Sequence, residues 1–210
     1  QIDMTILRPG YVPKGGGEIM FQIRPLSAPL KPLQLETPGI IEDIHGFALS
    51  SHLESAEVSD RMSHSWSNIL QNAGFNTKIQ IGYDVAQQPF YDRPALQPGA
   101  ALAIWAESST GCLFGADMSG APGRPSEKIG KKTARNFLKD IQSGATVDRY
   151  LADQVIPYAA LAGGDSLYYF PEMTDHIETR LWLVNEFLAV KSDIRDQKIT
   201  VHGAGFQVNS

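Results

Sequence analysis

Residues 146–188 read TVDRYLADQVIPYAALAGGDSLYYFPEMTDHIETRLWLVNEFL, and their texture changes three times. The spacing of Leu151, Val155 and Ala159 predicts a helix over TVDRYLADQVIPYAAL with those residues on its core side. SLYYF (166–170) is short, apolar and aromatic, as a buried strand is. DHIETRLWLVNEFL returns to helical spacing, and VKSDI (190–194) and KITVHGAGF (198–206) close the chain as a strand pair. Helix and strand alternating over so short a span argue for α/β (α+β) organisation.

Working outward, MTILRPGYVPKGGGEIMFQI (4–23) reads as a hairpin turned by Pro and Gly, with Ile19, Phe21 and Ile23 alternating against Glu18, Met20 and Gln22. The proline-punctuated RPLSAPLKPLQLETPG (24–39) suits an edge strand or a crossover better than a central strand. HLESAEVSDRMSHSWSNILQNAG (52–74) has helical spacing and ends on Gly74. NTKIQIGYDV (76–85) and GAALAIWAESSTGCLFGADM (99–118) supply strands, the latter two turning at SSTG. SEKIGKKTARNFLKDIQSG (126–144) is an amphipathic helix ended by Gly144. Ile129, Phe137, Leu138 and Ile141 take one side, and Lys128, Lys131, Lys132 and Arg135 largely the other. That basic side reads as a solvated face, with phosphate contact the alternative.

The bulk properties narrow the function. A chain of 210 residues with 42% hydrophobic content builds a real core in one or two domains. Its 18 basic and 23 acidic residues leave a net charge of −5, so any nucleic-acid contact has to be local. One cysteine, Cys112, excludes an internal disulfide framework and a multi-cysteine zinc site, and suits a reducing cytoplasm. No apolar run approaches the ~18 residues of a membrane span, and no signal-peptide pattern opens the chain, so a cytoplasmic protein with no membrane partner is expected.

Few motifs carry chemistry. PKGGGE (13–18) lacks the spacing and the following helix of a phosphate-binding loop and reads as a turn. The five histidines show no paired zinc spacing, and no nucleophile elbow is present. In DRYLADQV (148–155), Tyr150, Asp153 and Gln154 stand at i, i+3 and i+4 and share one helix face. Such a trio either stacks on a base and binds ribose or metal, or is an exposed face with a half-buried tyrosine. In TDHIETRL (174–181), Asp175 is expected as N-cap with Glu178 three positions on, a capping-box spacing that puts His176 at the first helical position. The helix dipole disfavours a second positive charge there, which leaves the imidazole its lone pair, and the same helix end attracts phosphate. The alternative is an ordinary surface histidine.

The stretches GYVPKGGGEI (10–19), SGATVDRYLADQVIPYAALAGG (143–164) and PEMTDHIETRLWLVNEFLAV (171–190) together resemble the RNA 3'-terminal phosphate cyclases, with a weaker likeness through IEDIHGFALSSHL (41–53) and GCLFGADMSG (111–120). The resemblance implies a βαβαββ repeat architecture with an inserted smaller α/β domain. Residues 1–38 would then end the second repeat and begin the third, 39–142 would form the insert, 143–210 would complete the third repeat, and the N-terminal repeats would be absent. It further implies an ATP-dependent conversion of an RNA 3'-terminal phosphate to a 2',3'-cyclic phosphate. His176 would be the catalytic residue that carries AMP, Tyr150, Asp153 and Gln154 would bind the nucleotide, and Mg or Mn would be a cofactor. The implied partners are RNA with a 3'-terminal phosphate and ATP, together with a chain carrying the missing repeats or a second copy of this one. Cyclase-like ribosome-biogenesis factors that are not catalysts, and a free-standing RNA-binding module, are the alternatives.

Overall fold

A glycine inside a strand marks a place where something approaches closely, and Gly46 is such a residue: a Cβ there would lie 2.2 Å from the ring of Trp66, itself wholly buried. The computed structural model describes residues 2–26 and 28–206. Residue 27, inside the proline-punctuated stretch, lies outside the described residues, as do 1 and 207–210. The chain divides into two compact units, one made of residues 1–24, 41–106 and 115–138, the other of 25–40, 107–114 and 139–210.

The first unit opens with the expected hairpin, β1 (Ile2–Arg8) against β2 (Glu18–Ile23), antiparallel with Ile2 facing Ile23, Met4 facing Phe21 and Ile6 facing Ile19. Its four-stranded sheet has the order β4-β3-β5-β6, with β3 Asp43–Ser51, β4 Asn76–Asp84, β5 Gly99–Glu107 and β6 Leu113–Ser119. Strands β3 and β4 run parallel and are joined through α1 (Val58–Asn72), while β3 and β5 are antiparallel. β5 obeys the period of two, with Ala100, Leu102, Ile104 and Ala106 all buried. β3 went unread in the sequence for a physical reason. Ala48, Leu49, Ser50 and Ser51 are buried in succession, so no alternation is printed, and Gly46 and His45 interrupt the apolar run. Helix α2 (Ser126–Gln142) meets α1 at Gly130, where a Cβ would come within 2.4 Å of the Met62 carbonyl oxygen.

In the second unit, β7 (Asp165–Tyr169), β8 (Ser192–Arg195) and β9 (Lys198–His202) form an antiparallel sheet of order β7-β9-β8. The proline-punctuated stretch runs beside β7. Leu35 N–H donates to the Leu167 carbonyl (2.9 Å) and Leu167 N–H to that of Leu33 (2.7 Å), a single-bridge edge that fits its prolines. The helix expected over 146–161 is two, α3 (Leu151–Gln154) and α4 (Ile156–Leu161). Pro157 has no N–H for the carbonyl of Asp153, and the helix parts at Val155. Helix α5 (Asp175–Leu188) buries Ile177, Leu181 and Val184 against Tyr168, Phe170, Ile156, Ile199 and Val201. Among the described residues no helix is long and apolar enough to cross a membrane.

Three strands of this sheet are also tied on the surface. The two ring nitrogens of His202 on β9 lie 3.0 Å from Asp165 Oδ1 on β7 and 2.9 Å from Asp193 Oδ2 on β8. Only an imidazolium can donate to both. The hydrogen bonds to Asp193 and Asp165 accordingly raise the imidazole above its ordinary 6.5, and His202 lowers Asp193 below its ordinary 3.8. A raised histidine contributes stability that is full below about pH 6.5 and fades as pH climbs through the raised value. A lowered aspartate contributes stability that fades as pH falls below its ordinary value through the lowered one. A series of urea midpoints against pH at low salt should therefore show a small advantage of the native chain over His202→Gln, widest between those limits and diminished by salt because the cluster is exposed.

Candidate functional site

α5 starts one residue earlier than its acidic residues suggest. Thr174 is the N-cap, in extended conformation (φ −136°, ψ 155°), and its Oγ1 accepts the Ile177 N–H at 3.3 Å. The expected cap, Asp175, is the first helical residue, and His176 is the second. The third is Ile177 instead of Glu178, so there is no capping box. The reason is local: Thr174 is in extended conformation with its hydroxyl oxygen on the Ile177 N–H, so it closes the first turn one residue earlier, while Ile177, Leu181 and Val184 face inward at i, i+4 and i+7. Asp175 and Glu178 still lie in the first turn, where acidic charge suits the helix dipole.

His176 is exposed and lines a shallow groove of about 290 Å³ with Pro157, Thr179, Arg180, Leu183 and Val184. Pro157 brings α4 to the groove, and the other residues belong to α5. Arg180, four residues beyond His176, is one helical turn along the same face. Its Nε lies 2.6 Å from Asp153 Oδ2 of α3. Asp153 thus does not share an outward face with its neighbours: it is buried and turned to α5, whereas Tyr150 is 45% exposed and Gln154 is exposed. On the inner side, Ala152 and Ile156 are fully buried, with Leu151 and Val155 packed partly against the core.

Tyr150 is held by its backbone. Asp148 Oδ1 accepts the N–H groups of Tyr150 and Leu151, each at 2.8 Å. The preceding Arg149 forks onto Asp140, Nη2 to Oδ1 at 2.8 Å and Nε to Oδ2 at 3.0 Å, and its N–H reaches Oδ2 at 3.2 Å. The Asp140 hydrogen bond raises the arginine further and burial only partly opposes it, so this pair is a fixed anchor under the Tyr150 turn. Below α3, the buried Tyr168 hydroxyl donates to the Ala152 carbonyl at 2.7 Å. Burial raises that phenol strongly and Asp153 adds to the effect, so Tyr168 serves as a structural donor.

The arrangement sets His176 and Arg180 along one groove, ties Arg180 to the buried Asp153, and positions Tyr150 separately through Asp148 and the Asp140–Arg149 pair. Sequence reasoning missed Arg180, Asp148 and the Asp140–Arg149 anchor. The i, i+4 spacing of His176 and Arg180 could have found the first, and an aspartate three residues before the first helical residue, Leu151, could have found the second. The anchor has no local signal. Among the described residues no group of three or more His, Cys, Asp or Glu side chains could hold a metal ion, and the Asp153 carboxylate is already engaged by a cation. These residues do not fit a Mg or Mn centre.

A sequence profile described as RNA 3'-terminal phosphate cyclase matches residues 1–194. Curated relatives of that name include proteins from Methanopyrus kandleri, 30% identical over 197 residues (93% of this chain and 54% of the relative), and from Caldivirga maquilingensis, 32% identical over 190 residues (89% and 51%). One from Methanothermobacter thermautotrophicus is 37% identical over 180 residues (86% and 49%). The chain spans about half the length of these relatives.

The corrected cap makes a test. Thr174→Ala should cost about 0.5–2 kcal/mol, while Asp175→Ala should lose only its favourable interaction with the dipole, about 0.3–1 kcal/mol. Urea unfolding of the two variants checks the order, and a larger loss at Asp175 would return the cap to that residue.

Proposed function

The chain belongs to the RNA 3'-terminal phosphate cyclase family, and from that premise we propose that it carries the nucleotide-transfer part of an ATP-dependent cyclase with His176 as the nucleophile. The observation that carries the reading is His176 itself, exposed in the first turn of α5 and sharing a groove with Arg180. A ring nitrogen attacks the α-phosphorus of ATP, forming an N–P bond while the α–β P–O bond breaks and pyrophosphate leaves. An oxygen of the RNA 3'-terminal phosphate then attacks the same phosphorus and the N–P bond breaks, leaving an RNA-adenylate. Finally the neighbouring 2'-hydroxyl attacks the 3'-phosphorus, gives up its proton and expels AMP, closing the 2',3'-cyclic phosphate.

Other residues take supporting roles. Arg180 offsets phosphate charge at the groove, and Asp153 holds Arg180 there. The exposed Tyr150 ring stacks on adenine, with Gln154 beside it as a polar contact to the nucleotide. In the same reading residues 1–38, 39–142 and 143–210 are the repeat boundary, the insert and the closing part of the third repeat. The hairpin supports a further partner: Ile2, Met4, Phe21 and Ile23 are 57–69% exposed on one face, an apolar surface suited to cover by the remaining repeats or by a second copy.

In a protein carrying the whole repeat set, incubation with ATP labelled at the α-phosphate should leave an AMP adduct that acid removes and base does not, the signature of a phosphoramidate. His176→Asn should abolish the adduct without unfolding the protein, and an acid-labile adduct persisting in that variant would move the nucleophile elsewhere. Tyr150→Ala should weaken ATP binding by about 1–3 kcal/mol, as loss of a stacked base does, whereas Tyr150→Phe should retain it. Equal losses in calorimetric titration would assign the contact to the hydroxyl.

A further inference from the structure

Helix α2 carries Lys128, Lys131, Lys132 and Arg135, all exposed. At 3.6 residues per turn they fall within an arc of about 100° and along about 10 Å of helix. Every neighbouring pair at i, i+3 or i+4 within this stripe is like-charged, which disfavours the helix. Lys128 also stands in the first turn, at the positive end of the dipole. Among the described residues none of the four forms an ion pair; Glu127, one turn before Lys131, lowers the repulsion there through its field while its carboxylate forks onto Arg61 of α1 (Nε–Oε1 2.7 Å, Nη2–Oε2 3.0 Å). The close approach at Gly130 and this fork hold α2 on α1, so the cations form a fixed row and not a mobile tail. A chain of net charge −5 thus concentrates positive charge on one helix face at a cost to that helix.

We propose that this stripe binds the phosphate backbone of an RNA strand, at internal phosphates distinct from the terminal one, and so grips the substrate independently of its 3' end. The inference rests on the cyclase reading only for the identity of the polyanion. Lysine and arginine without base-reading partners make the positioning contacts of nucleic-acid binders. A protein partner would call for an aromatic or aliphatic anchor, and the arc supplies cations alone. A lipid surface would need the apolar side of α2, but that side is committed to the core through Ile129, Ala134 and Phe137, at 0–2% exposure.

The test is salt-dependent binding of a fluorescent single-stranded RNA ending in a 3'-hydroxyl, which cannot enter the terminal chemistry, beside the same RNA with a 3'-phosphate. The 210-residue chain should bind both. The variant K128Q/K131Q/K132Q/R135Q should bind both more weakly, with the slope of log affinity against log salt reduced by up to about 3, roughly 0.7 per phosphate contact. Circular dichroism should show an intact helix, and K128R/K131R/K132R should keep the native slope. Equal slopes for the native chain and the glutamine variant, or no binding of the 3'-hydroxyl RNA at low salt, overturn the proposal and leave the histidine chemistry untouched. Stripe-dependent RNA binding in a protein that forms no AMP adduct supports the proposal and overturns the cyclase mechanism instead. Stripe-dependent binding to phosphatidylserine vesicles without RNA binding assigns the face to a lipid surface and overturns it.

Discussion

Pro157 cannot donate to the carbonyl of Asp153, and the two short helices that meet just before it carry the residues packed against α5. Val155 joins them in helical conformation (φ −78°, ψ −20°), and both α3 and α4 pack on α5. The first brings Asp153 to Arg180, and the second sets Pro157 beside His176. Proline in the first turn of α4 is well tolerated because the N–H it lacks would have no intrahelical partner there.

The two helices are then held by groups of different character. α5 is placed by burial: Ile177, Leu181 and Val184 fix its rotation, Thr174 closes its first turn, and His176 is left facing solvent as a consequence. The turn before α3 is placed by charge, through the Asp140–Arg149 fork and the two N–H groups collected by Asp148. Fork geometry constrains both distance and plane, which a contact between flexible apolar side chains would not.

Charge is arranged differently in the other unit. There the acid beside the basic row of α2, Glu127, makes its direct ion pair with Arg61 and acts on Lys131, one turn along, only through its field. A solvated helix face ordinarily mixes signs at i, i+4 for its own stability. The departure on α2 is local and leaves the packed side of the helix, with Thr133 and Phe137 fully buried, unaffected.

By itself the sequence determined the class of fold, the hairpin, most of the strands and the long helices, because periodicity, turn residues and short motifs are local properties of the chain. It misread what depends on burial from outside the segment, and which of two adjacent side chains closes a helix. β3 lost its alternation because it is covered in succession along its second half, and the cap of α5 lies at Thr174 because that hydroxyl, not the Asp175 carboxylate, takes the Ile177 N–H. Asp153 left the exposed face that its spacing suggested because a cation 27 positions away in sequence was waiting at 2.6 Å. Pairings across that separation leave no mark on either local pattern. Only the tertiary structure, which decides which helix lies beside which, could turn a row of polar residues into an ion pair, a groove and an exposed imidazole.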